Sequence, residues 1–167
     1  TKAFVMNYKY PKSFWKIAEQ IGYARTVVDT KIRENNPKYN MGAKASYVET
    51  IGVLGELIAM DYLTNKNIEF TMAKLLDFYP SKNADFVFKN KKIDVKSTFH
   101  FEKAHILINE DAHKKGLGII EMYWIIYILD ETNCEFYFVD YDDVNKWGCK
   151  LFKYTNAFYI KRENLKK

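Results

Sequence analysis

Of the 167 residues only two are cysteine, three proline and seven glycine, and each scarcity excludes something. Cys134 and Cys149 are too few for a disulfide framework, and their spacing matches no metal-ligand pattern. Pro11, Pro37 and Pro80 punctuate the chain without forming a proline-rich tract, and there is no internal repeat or low-complexity segment. No apolar run approaches the roughly 18 residues that span a bilayer. The opening TKAFVMNYKY has no apolar stretch of signal-peptide length. The chain therefore reads as a single soluble domain of the reducing cytoplasm, with no membrane partner and enough length to bury a core.

Aromatic residues are abundant: 13 Tyr, 12 Phe and 3 Trp. Such rings can stack on bases, although a composition that also enriches Lys, Asn and Ile accounts for them more simply. The net charge of +5 is unevenly spread. Residues 1–44 hold nine Lys or Arg against three acids, residues 146–167 seven against one, and the intervening segment ten against seventeen. Cationic ends around an acidic middle suit a polyanion gripped at both ends and divalent cations held between. Lysine-rich, merely solvated termini would give the same totals.

Pro11 precedes a helical pattern over 12–20, Gly22 breaks it, and a second helical pattern over 24–34 ends at Asn35-Asn36-Pro37. These form an N-terminal helical pair. Residues 46–65, SYVETIGVLGELIAMDYLTN, read as a long helix with Ser46 as N-cap and Glu49 at capping-box spacing. A short strand is expected over 68–72. The segments 84–88 and 92–99 alternate apolar and polar residues around Lys89-Asn90-Lys91, which is a hairpin. Residues 104–108 are ambiguous, 109–115 suit a short helix ended by Gly116, and 121–129 and 135–139 read as strands. Residues 140–147 suit a capped helical turn and 157–161 a final edge strand. The expected fold is α/β: a mixed β-sheet flanked by helices. Its parts are a helical N-terminal extension (1–45), a core (46–145) and a basic C-terminal segment (146–167).

Two groups of charges look out of place. Between Ile51 and Met60 the only charge is Glu56, set among Ile51, Val53, Leu54, Leu57, Ile58 and Met60. A helix apolar on almost every face is buried, so Glu56 needs a solvated edge, a buried Lys or Arg, or a metal ion. Gly52 and Gly55 would let this helix approach a sheet closely. In NADFVFKNKKIDVKST, residues 83–98, strand parity puts Asp94, Lys96 and Thr98 on one face and Ile93, Val95 and Phe99 on the other. A turn at Lys89-Asn90 sets Asp85 opposite Asp94; one at Asn90-Lys91 sets it opposite Lys96. Either keeps the three together, whereas an odd-residue loop or bulge separates them. Three acids and a lysine at a sheet end suit a hard divalent cation such as Mg²⁺.

Glu56 on a helix, then Asp85, then Asp94-Val95-Lys96 on the following strand, resembles the PD-(D/E)xK nuclease superfamily with its restriction-endonuclease-like fold. Ala84 stands where the family motif has proline, and no glutamine-containing helix motif accompanies it. The resemblance implies a hydrolase acting on phosphodiester bonds, most simply a DNA endonuclease. It implies Glu56, Asp85, Asp94 and Lys96 as catalytic residues, with Glu56, Asp85, Asp94 and the Val95 carbonyl as ligands of Mg²⁺, for which Mn²⁺ would substitute. Double-stranded DNA is the implied partner, and a cut on both strands would call for a homodimer. A binding or interaction module on the same fold, without catalysis, is the alternative.

Residues 17–32, IAEQIGYARTVVDTKI, resemble a helix-turn-helix, with Ala18, Gly22 and Val28 near its packing positions and Ile32 one place late. A helical hairpin packed on the core is the competing expectation. His100, His105 and His113 match no zinc spacing and are read as surface or structural.

Overall fold

The computed structural model describes residues 4–32, 43–73, 75, 84–100, 105–152 and 155–166. The architecture follows from strands that are apolar on both sides. In β6 (Met122–Ile128), Trp124, Ile126 and Ile128 pack into one core while Tyr123, Ile125 and Tyr127 pack into a second. A strand without a polar face has to lie inside, so both faces of its sheet are covered.

That sheet has six strands in the order β1-β7-β6-β4-β3-β2. They are β1 (Phe4–Lys9), β2 (Phe70–Met72), β3 (Phe86–Phe88), β4 (Lys91–Phe99), β6 and β7 (Asn133–Asp140). Only β4 and β6 run parallel; every other neighbour is antiparallel, giving a mixed sheet. One face is covered by α1 (Phe14–Ile32) and α2 (Ala43–Asn65), whose Ala18, Leu54, Ile58 and Leu63 are fully buried. The other is covered by a three-stranded antiparallel sheet in the order β5-β9-β8: β5 (His105–Asn109), β9 (Thr155–Lys161) and β8 (Gly148–Phe152). Between the sheets, Ile106 and Ile108 meet Tyr123, Ile125, Tyr137 and Val139. The short helices α3 (Glu110–Lys115), α4 (Tyr141–Val144) and α5 (Arg162–Leu165) close this layer, burying His113, Tyr141, Val144 and Leu165. No helix among the described residues is long and apolar enough to cross a membrane.

Several expectations give way. The N-terminal helical pair is one continuous helix, α1, so the helix-turn-helix over 17–32 has no turn. Gly22 is there for proximity: a Cβ at 22 would lie 2.8 Å from the Thr50 backbone nitrogen, so its absence lets α1 lie against α2. The expected continuation to residue 34 and the stop at 35–37 lie outside the described residues. Residues 1–45 are not purely helical, since β1 pairs with β7 along the edge of the main sheet. Helix α2 starts at Ala43, which puts Ser46 inside it instead of at the N-cap; the Ser46 carbonyl accepts from Thr50 Oγ1 at 2.9 Å. The 157–161 strand is central instead of an edge, because β8, unforeseen, pairs with its far side.

Candidate active site

The β3–β4 turn is formed by Lys89 and Asn90, both at positive φ (49° and 58°), the two-residue geometry whose twist matches the flanking strands. It fixes Phe86 opposite Ile93, which extrapolates to Asp85 opposite Asp94. The ladder stops there and β4 continues beyond β3, so the Val95 N–H has no strand partner on that edge. Asp85 supplies one: its Oδ2 accepts from Val95 N–H at 2.8 Å. The N–H and C=O of a strand residue point to the same edge, so the Val95 carbonyl shares the Asp85 side of β4.

Ile93 and Val95 face the helices, and Ser97 Oγ donates to the Ile51 carbonyl of α2 at 2.7 Å. Asp94 and Lys96 have the opposite parity and form an ion pair, Nζ to Oδ2 at 2.5 Å. A Cβ on Gly55 would lie 2.6 Å from Ser97 Oγ, so this glycine allows α2 its close approach to β4; Gly52 faces open space and plays no such part. One residue beyond Gly55, Glu56 receives Arg25 Nη2 at 2.9 Å, both side chains being under one-fifth exposed. Arg25 also donates from Nε to the Leu75 carbonyl at 2.6 Å and has Nη1 3.9 Å from Glu49.

The four expected residues lie in one electrostatic neighbourhood. Burial pushes the Asp85 carboxyl well above the usual carboxylate range; the charges of Asp94 and Glu56 push it further, with Lys96 and the Val95 N–H opposing. Burial likewise raises Glu56, partly offset by Arg25 and reinforced by Glu49 and Asp94. For Lys96 burial acts downward, but Asp94, Asp85 and Glu56 outweigh it, so the ammonium stays protonated above the usual lysine range. Tyr123, register partner of Asp94 on β6, is held above the normal phenol range by burial and then by that carboxylate. Its hydroxyl meets His113 Nδ1 at 2.8 Å, and Asn145 Oδ1 meets Nε2 at 2.9 Å, so His113 is a packed structural residue.

All the potential donors are oxygens and their negative charge is incompletely balanced at Asp85, which is chemistry that suits a hard divalent cation. The side-chain directions favour protein cations: Glu56 holds Arg25 and Asp94 holds Lys96. Among the described residues no three or more His, Cys, Asp and Glu side chains stand in common reach of one ion. Uptake of an ion by these acids would require carboxylates to turn from their present partners.

Arg25 escaped the sequence reading as a named residue. Its signal was the spacing Ala18, Gly22, Arg25, one stripe of a helix facing α2, which reading Gly22 as a break concealed. Comparison with protein-family models, with curated protein sequences and with solved structures returned no match.

Proposed function

We propose that this chain is a Mg²⁺-dependent nuclease of the PD-(D/E)xK type, on a restriction-endonuclease-like fold, hydrolysing phosphodiester bonds in double-stranded DNA as an endonuclease. The supporting observation is the hairpin register, which sets Asp85 against β4 beside the Asp94–Lys96 pair, within the field of Glu56. Glu56, Asp85, Asp94 and the Val95 carbonyl would hold the ion, with Mn²⁺ able to substitute. When bound, such an ion supplies a water acidic enough to attack near neutral pH and offsets charge on the leaving oxygen. Lys96, held protonated by its carboxylate neighbours, donates hydrogen bonds that orient the attacking water and the scissile phosphate. Asp85 braces β4 through the Val95 N–H, keeping Asp94 and Lys96 at the free edge. Cleavage of both strands would use a homodimer, since one site addresses one strand at a time.

The test is incubation of supercoiled plasmid with Mg²⁺ or Mn²⁺. Asp94→Ala and Lys96→Ala are each expected to lower the cleavage rate on the order of 10²-fold or more; variants that cut as fast as the parent refute the catalytic assignment. A second reading has its own support in the Arg25–Glu56 and Lys96–Asp94 pairs: the acids would be structural, and the chain a binding module without catalysis. Calorimetric titration with Mg²⁺ and Mn²⁺ separates the two, because only the first predicts ion uptake that Asp94→Ala removes.

A further inference from the structure

Register assigns each residue of the three-stranded sheet to a face. Ile106, Ile108, Phe158 and Ile160 turn inward onto the second core. The rows Gly148–Tyr159–Leu107, Lys150–Ala157–Asn109, Phe152–Thr155 and Lys161–His105 turn the other way. On that outward face Lys150 and Lys161 are exposed, and Tyr159, Phe152 and His105 are partly exposed. None of its residues is Asp or Glu. On the neighbouring short helices and their flanks, by contrast, Lys114 and Lys146 are matched by Glu110 and Asp143.

The rings cluster on this face without sharing a plane: Phe152 is inclined at 69° to Tyr159 and His105 at 86°. A Cβ on Gly148 would fall 2.5 Å from Cζ of Tyr159 and 2.7 Å from its hydroxyl oxygen, so the glycine leaves room for the phenol to lie across β8. Lys150 Nζ sits over this ring, 4.8 Å from its centroid, and 4.9 Å from that of Phe152. The Phe152 and Tyr159 centroids are 5.7 Å apart, and His105 meets Tyr159 edge-on at 5.5 Å.

We propose that this face, with Phe152 and Tyr159 as stacking platforms and Lys150 and Lys161 as phosphate contacts, binds an unpaired stretch of nucleic acid. The occupant follows from charge and shape. A strand with its bases splayed out offers π-faces to rings and a polyanionic backbone to lysines, whereas the stacked bases of an intact duplex do not reach a sheet surface. Lys150 is the movable element: an exposed ammonium over a ring is held more weakly than a base stacked on it. A base can therefore displace it, and its flexible stem carries the charge to a neighbouring phosphate. The inference deepens the proposed nuclease reading by naming a substrate with a single-stranded segment, and it rests on that reading only for the link to cleavage.

Binding of the full chain to a fluorescently labelled single-stranded 20-mer, followed by anisotropy in excess EDTA, tests it without metal or cleavage. The single strand is expected to bind tighter than a duplex of equal length. Phe152→Ala and Tyr159→Leu should each weaken it on the order of 10-fold, and Lys150→Gln should weaken it and reduce the salt slope by about 0.7. Lys150→Glu, on an exposed edge strand, should weaken it further while leaving the circular dichroism spectrum unchanged. Affinity that is unaltered in Lys150→Glu and in Phe152→Ala, or a preference for duplex, overturns the proposal. If no protein cuts DNA but the parent binds the single strand and the sheet variants do not, the nuclease reading falls and the platform stands; cleavage with unaltered sheet variants gives the reverse.

Discussion

Replacing Asp85 by asparagine is expected to stabilise the protein at neutral pH without divalent ions, by about 1 kcal/mol. Burial and the neighbouring acids raise the folded pKa of Asp85 above its unfolded value. The contribution of this group to stability is thus present in acid and lost as pH rises through that folded pKa. Asparagine can still accept the Val95 N–H, so urea denaturation at pH 7 should show a higher midpoint while plasmid cleavage disappears. Glu135 behaves oppositely. It is buried, which alone would raise its pKa, but hydrogen bonds from Arg162 and Tyr137, with Lys166 near, bring it below the ordinary value. Its stabilisation is complete above the unfolded glutamate pKa of about 4.3 and is lost as pH falls through the lower folded value. Arg162→Met should cost about 2 kcal/mol at pH 7 and flatten the acid limb of the stability curve, measured by thermal melts between pH 3 and 7. At this scale the sequence was informative about parity and silent about partners. Alternation alone grouped Asp94 with Lys96, and the isolation of Glu56 announced a need for compensation. Arg25 could be identified only once the helix carrying it was seen to be unbroken.

Helices α1 and α2 give a matched pair of glycines. Gly22→Ala gains helix propensity but drives a methyl into the Thr50 backbone at 2.8 Å, which a main chain cannot easily yield, so a net loss of 1 kcal/mol or more is expected, about 1–3 kcal/mol being usual for overpacking. Gly52→Ala meets nothing within 4 Å and should stabilise α2 by about 0.5–1 kcal/mol. Parallel urea titrations of both variants check the sign of each. The β3–β4 turn is tested by length: one glycine inserted after Asn90 removes the two-residue geometry and turns Asp85 away from β4, so cleavage should fall as far as in Asp94→Ala while β4 and β6 stay paired. Hairpin, long helix and buried strand were all legible, because periodicity is a local signal. Gly22 and Ser46 misled for one reason. Breaker and cap residues act through local backbone preference, and packing of α1 on α2 overrides that preference.

The mixed main sheet followed from the order of elements, but the second sheet did not. Its strand β5 lies far from β8 and β9 in the chain, and nothing local says that 105–109 will pair with 155–161. The same holds more strongly for β1, whose Phe4–Lys9 pairs with the 133–140 segment. Tyr10 then donates to the Asp130 carbonyl at 2.6 Å, and Trp15 Nε1 donates to the Glu131 carbonyl at 3.2 Å. That latch has a kinetic consequence. Of the described strands the earliest made is joined to β7 across about 120 residues of intervening chain, and the entropic cost of closing so long a loop places its docking late, after the rest of the sheet has formed. Tyr10→Phe removes one latch bond formed after the rate-limiting step; stopped-flow experiments should find faster unfolding with a nearly unchanged folding rate. During synthesis the edge of β7 would thus be complete, and waiting, while the segment meant to cover it had already been in solvent longer than any other described strand.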